Sequence, residues 1–187
     1  MACVGLLALQ GGFAPHARAL REIGLPTREV REARDLDAID GLVLPGGEST
    51  AQLRLIERHR LAEALESFVA SGRPVLATCA GLVLAARQVK PVQKSFGWLD
   101  LEVERNAYGR QLDSFEDLAD GDDLPLVFIR APRISAMGKG VAVLARWRGE
   151  PVLVRAGAVT GAAFHPELTP DRRVHRLAFE GLWWGVR

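Results

Sequence analysis

The sequence predicts an α/β fold, a single domain over residues 1–187 built on a doubly wound, mostly parallel sheet with helices on both faces. Three observations predict it. Short, fully apolar runs such as Cys3–Leu9 (CVGLLAL) and Gly41–Leu44 (GLVL) read as strands covered on both faces. Through the first half they alternate with helix-length stretches, as βαβ units do. The polar residues Gln10, Gly46-Gly47-Glu48 and Cys79 all fall just past such runs. Open α/β sheets bind ligands there, outside the carboxyl ends of their strands.

Taken in order, Cys3–Leu9 is the first strand, and a helix from about Phe13 to Ile23 stops at Gly24. Thr27–Val30 is a short second strand, Asp35–Ile39 one helical turn, and Gly41–Leu44 the third strand. That strand runs into Pro45-Gly46-Gly47-Glu48-Ser49-Thr50, where Ser49 or Thr50 caps a helix through Leu53 and Ile56. A helical segment over Leu61–Ser71 leads to a strand at Val75–Ala77 and a helix over Gly81–Val89. The second half offers strands at Leu99–Glu104, Leu126–Arg130, Val141–Trp147, Val152–Arg155 and Val159–Phe164. Ala107–Leu124 is polar and weakly patterned, a surface excursion. Thr169 and Pro170 read as N-cap and first helical residue of a last helix, from about Asp171 to Trp184.

A chain of 187 residues can bury a sizeable core. Its formal net charge of +1 gives no reason to invoke nucleic acid or an anionic membrane surface. No apolar run reaches membrane-spanning length and no basic leader precedes the first strand, so a cytoplasmic protein is expected. The two cysteines, Cys3 and Cys79, make neither a disulfide framework nor a metal cluster. No His, Cys and acid spacing suggests zinc, so no metal and no cofactor are expected.

The chemistry centres on Cys79. It sits at a tight strand-to-helix bend, with small residues two before and two after it, Ala77 and Gly81. This is the nucleophile-elbow pattern, which pushes a side chain out toward the mouth of the sheet. Phe164-His165-Pro166-Glu167 follows the last strand candidate. In an extended segment His165 and Glu167 project to one side, and a carboxylate beside an imidazole fixes its tautomer. A cysteine at one strand end and a His–Glu pair at another is an arrangement for nucleophilic catalysis.

LALQG at 7–11, LPGGEST at 44–50, TCAGL at 78–82, ERNAYGRQ at 104–111, FIRAP at 128–132 and FHPELT at 164–169 together resemble one family. It is the glutaminase subunit of pyridoxal 5'-phosphate synthase, the PdxT or Sno type of class I glutamine amidotransferase, which is flavodoxin-like. The resemblance covers nearly the whole chain. It implies that Cys79 attacks the side-chain carboxamide of L-glutamine, that His165 moves the proton and that Glu167 orients His165. It implies an oxyanion hole from Gly47 and Ala80, and a glutamine site of Gly47, Glu48, Ser49, Arg105, Ile129 and Arg130. An arginine fork suits the substrate's carboxylate and Glu48 its ammonium, with the choice of arginine left open. Gln10 is expected to face the partner, a synthase subunit of the PdxS or Snz type in a large hetero-oligomer that receives the ammonia.

Two departures stand out. Ala77 replaces the family's usual glycine, which predicts a slightly crowded elbow. Gln88–Phe96 is short and carries Lys90 and Lys94, a change expected to touch packing more than chemistry. Among the remaining residues, His16 reads as exposed or at an interface. His59 and His175 read as solvated, and Trp183-Trp184 as core and rim packing. Two other functions compete: another triad amidotransferase, such as the partner subunit of imidazole glycerol phosphate synthase, and a non-catalytic protein with Cys79 as a redox sensor. A sensor needs neither His165 nor Glu167.

Overall fold

The strands of the first half are β1 (Val4–Leu7), β2 (Thr27–Val30), β3 (Gly41–Leu44) and β4 (Val75–Thr78). They alternate with α1 (Phe13–Glu22), a 3-10 turn at Ala33–Ala38, α2 (Ser49–Arg58) and α3 (Ala62–Ala70). The computed structural model describes residues 2–107 and 114–182. After β4 come α4 (Ala80–Ala85), β5 (Ala86–Lys90), β6 (Leu99–Glu104), β7 (Phe115–Leu118), β8 (Pro125–Phe128) and β9 (Arg133–Met137). Then follow β10 (Ala142–Trp147), β11 (Glu150–Ala156), β12 (Val159–Ala162) and α5 (Arg173–Ala178).

The main sheet has the strand order β10-β11-β12-β4-β3-β1-β2. From β12 to β2 all neighbours are parallel, and β11 and β10 add an antiparallel edge. β1, β3, β4 and β12 are buried along their whole length, which explains the unbroken apolar runs of β1 and β3. Smaller sheets, β5-β6-β9 and β7-β8, pack beside it. Phe115, Phe128 and Trp147 pack as tilted rings with centroids 4.8–5.2 Å apart and join β7-β8 to the β10 edge. One buried apolar cluster runs from Val4 to Phe179.

Several boundaries differ from expectation, each for a physical reason. The elbow helix ends at Ala85, not Val89, because Ala86–Lys90 pairs with Leu99–Glu104 as β5; sheet pairing overrides a weak helix preference. β7 lies within the expected surface excursion and pairs β8 antiparallel, and β9, pairing β6, carried no alternation signal. The cap of α2 is neither Ser49 nor Thr50. It is the Glu48 carboxylate, which accepts from Thr50 N at 3.2 Å and Ala51 N at 2.7 Å. α5 begins at Arg173, because Thr169 and Asp171 use their side chains in turns that precede it. The expected end of that helix at Trp184, with Trp183, lies outside the described residues, as does Tyr108–Gln111 of the ERNAYGRQ motif. The expected crowding at Ala77 is absent from the ladder. Its register to Leu44 and Gly161 is unbroken.

Candidate active site

Cys79 closes β4 and opens α4. Its backbone takes φ +48° and ψ −104°, a strained conformation for a residue with a Cβ. The neighbours hold it there: Cys79 N donates to Ala162 O on β12 at 2.8 Å. Gly81 is required behind it, since a Cβ there would come within 2.2 Å of the Leu44 carbonyl oxygen. The Cys79 thiol points toward the Ile129 carbonyl, with Sγ to O 3.8 Å.

β12 delivers the second group. Residues 159–162 pair with β4, so the chain leaving β12 arrives beside Cys79. His165 N donates to Val127 O at 2.8 Å, which pins the residue to β8. The segment was expected to be extended, but it enters a 3-10 turn at Pro166. The pair still meets: His165 Nδ1 lies 2.8 Å from Glu167 Oε1. Nδ1–H donates to the carboxylate, so the lone pair of the neutral ring is on Nε2. Nε2 is buried and without a hydrogen bond. Gly46 is the floor on which the ring sits, since a Cβ there would come within 2.4 Å of His165 Cε1.

The electrostatics follow from burial and from neighbours. Burial pushes His165 down, but the Cys79 sulfur and the Glu167 carboxylate outweigh it and lift its pKa to about 10. Burial pushes Glu167 up, but His16 and His165 more than offset it and hold its carboxyl low. The arrangement therefore favours the charged form of the imidazole. It can take a proton from a thiol and return it to a leaving group.

A cavity of about 150 Å³ opens over Cys79 and His165. It is smaller than drug-sized sites and suits one small metabolite. It brings together nearly all the expected site residues: Gly47, Glu48, Ser49, Cys79, Ala80, Arg105, Ile129, Arg130 and His165. Glu167 stands behind His165. Gln10 is not on the wall. Its Oε1 accepts from Glu48 N at 3.0 Å and so braces the loop that is. Among the described residues no group of three or more His, Cys, Asp or Glu could hold a metal ion.

These residues match the SNO glutamine amidotransferase family over positions 6–182. The chain belongs to that family. It is 51% identical over 185 residues to "Pyridoxal 5'-phosphate synthase subunit PdxT" of Parafrankia sp., covering 95% of this chain and 91% of that one. The protein of the same description from Thermotoga maritima is 44% identical over 183 residues, covering 95% and 97%. A solved structure described as a glutamine amidotransferase superposes with a TM-score of 0.88 at 43% identity, covering 95% of this chain and 97% of that one.

Sequence reasoning missed three cavity residues of this family member: Val83, Asn106 and Pro132. Val83 sits one helical turn after Cys79, and the other two lie inside or beside quoted motifs. Asn106, Cys79 and Arg130 are three of the five non-glycine residues with positive φ among the described residues. Such strain clusters at functional sites. The arginines also separate. Arg105 Nη2 donates to Glu48 Oε1 at 3.0 Å, while Arg130 is exposed at the mouth. Glu48 thus holds three donors, and burial, which would raise its pKa, loses to them. The short loop touches the site after all, because Gln93 Oε1 accepts from Ser49 Oγ at 3.0 Å. The largest error concerned His16 and His175, expected in the open and found fully buried behind Glu167.

Proposed function

We propose that this chain is the glutaminase subunit of a pyridoxal 5'-phosphate synthase. It hydrolyses L-glutamine to L-glutamate and ammonia through a thioester on Cys79 and supplies the ammonia for cofactor synthesis. The observation that carries the catalytic assignment is the strained Cys79 beside His165, whose Nδ1 is bound to Glu167, at the floor of a metabolite-sized cavity.

In this reading His165 Nε2 takes the thiol proton and Cys79 Sγ adds to the carboxamide carbon. The N–H groups of Ala80 and Gly47 hold the oxygen as it gains charge. His165 then gives its proton to the nitrogen, ammonia leaves, and a thioester remains. Water, deprotonated by His165 Nε2, cleaves it and releases glutamate. Glu48 receives the substrate ammonium at its remaining lone pair, and an arginine, Arg105 or Arg130, meets the α-carboxylate. The 187 residues act as one domain, a reading favoured by the single buried cluster. No described helix is long and apolar enough to cross a membrane, and both cysteines are free, which favours the cytoplasm. The partner is a PdxS- or Snz-type synthase subunit in a hetero-oligomer, with Gln10 on the facing side.

The test is glutamate release with and without that synthase subunit, together with labelling by a glutamine-derived diazoketone. Label is expected on Cys79 and not on Cys3, whose thiol burial pushes up. Label confined to Cys3 would sink the assignment of the nucleophile.

A further inference from the structure

Behind Glu167, away from the cavity, lies a buried group that the glutaminase mechanism does not use. His16 on α1 and His175 on α5 are both fully buried. His16 Nδ1 lies 2.9 Å from His175 Nε2. His16 Nε2 lies 3.1 Å from Thr78 Oγ1 and 3.3 Å from Glu167 Oε2. Glu167 Oε2 is itself buried and has no hydrogen bond, so His16 is the group set against it. One ring therefore touches both the carboxylate that orients His165 and the residue just before Cys79.

The tautomers follow from counting donors. If His16 carried its proton on Nδ1, a bare Nε2 lone pair would face the Glu167 carboxylate. His175 would then carry its proton on Nδ1, which is buried and has no partner. An unmade buried donor costs about 1–3 kcal/mol. With both protons on Nε2, His175 donates to His16, and His16 directs its N–H between Thr78 and Glu167. No buried ring N–H is then orphaned. Burial pushes both rings down, His175 to about 3.

We propose that His16 is a positioning residue of the glutamine-hydrolysing reaction, holding the second oxygen of Glu167, and that His175 sets the tautomer that lets it do so. The inference rests on the glutaminase reading above. Glu167 Oε1 must stay on His165 Nδ1 while the ring gains and loses its proton. Without a donor near Oε2 the carboxylate is free to turn and is less well held as an anion. The groups facing it are His165 from its own segment and His16 from α1. Beyond His16 lie Thr78 from β4, then His175 and the Arg172 cation ahead of α5.

The test is the pH profile of glutamate release by the full chain with its synthase subunit, comparing His16→Gln with His16→Asn. Glutamine places an amide N–H near the Nε2 position, and asparagine falls short of Glu167. His16→Asn is expected to lose about 10–100-fold in kcat with KM unchanged, and His16→Gln to recover much of it. In His16→Asn the acid limb should move to higher pH, because a less supported Glu167 takes up its proton more readily. A second pair reads the relay one step out and serves where His16→Asn does not fold. His175→Leu is expected to be slower than His175→Gln, which keeps a donor. Equal kcat within each pair, or equal losses with an unmoved acid limb, overturns the proposal. A wild-type chain that releases no glutamate overturns the glutaminase reading itself.

Discussion

His165 Nδ1 sits 2.8 Å from Glu167 Oε1, with both side chains nearly closed off from water. The pair fixes which nitrogen faces the thiol and supports the ring when it is charged. Glu167→Gln is therefore expected to keep the fold and lose up to about 10⁴ in kcat, the cost of the equivalent change in the best-studied triad. His165→Asn should be nearly inactive. Steady-state glutamate release measures both, and a normal kcat in Glu167→Gln would show that Glu167 does not orient the base.

The high pKa of His165 gives a second test. Burial works against it, and the Cys79 sulfur is the first partner that lifts it to about 10. In Cys79→Ala the burial stays and that partner is gone, so the ring should titrate well below the wild-type value in a histidine NMR titration. The linkage has a definite sign. A raised folded pKa stabilises the chain fully below about 6.5, the value of an unfolded histidine. The contribution is lost as pH rises through about 10. In urea unfolding, the stability gap between wild type and His165→Asn should be widest at the acid end of that window and close toward its alkaline end.

Gly46 tests the geometry without touching a reacting atom. A Cβ there would lie 2.4 Å from His165 Cε1 and 2.9 Å from Nδ1. A rigid ring cannot absorb that overlap by bending, so it must move off its position over Cys79. Gly46→Ala should lose about 10²-fold or more in kcat, as misplacements near 1 Å do. Circular dichroism should show the fold retained. A Gly46→Ala chain with normal turnover would mean that the ring is not held where the structure has it.

The legible parts of this chain were those with local signatures. A cysteine between small residues at a strand end marks an elbow, and Gly41–Leu44 is buried on both faces and reads as one apolar run. β5 was hidden because LAARQ at 84–88 has helical composition, and Ala86–Lys90 is drawn into a strand only by its pairing with Leu99–Glu104. His16 was misread although its spacing was informative. It lies three and four residues before Ala19 and Leu20, on the buried face of α1. What makes a histidine tolerable there are partners 62 and 159 positions away, Thr78 and His175, which no local pattern reveals.

The loop that carries Gly47 is tied to the turn after β1, and that tie bears on partner control. Gly12 N donates to Gly46 O at 2.9 Å, Gln10 Oε1 accepts from Glu48 N at 3.0 Å, and Gln52 Nε2 donates to both Gln10 O and Pro45 O at 3.0 Å. In a trans peptide the N–H points opposite to the C=O. The bond from Gly12 therefore fixes the direction of the Gly47 N–H proposed for the oxyanion hole. Released from that bond, a glycine peptide rotates cheaply, and one turned over would offer an oxygen to the developing charge. Losing a single such donor costs about 10²–10³ in kcat. A synthase subunit docking on the Gln10 turn would act on this peptide through the same bonds. The isolated chain is expected to hydrolyse glutamine poorly, and the synthase to raise kcat far more than it changes KM. Gln10→Ala should weaken that activation while costing about 1 kcal/mol of stability, the worth of one hydrogen bond. Kinetics with and without saturating synthase decide it. A free chain already as fast as the complex refutes control through this loop and leaves the assignment of Cys79, His165 and Glu167 untouched.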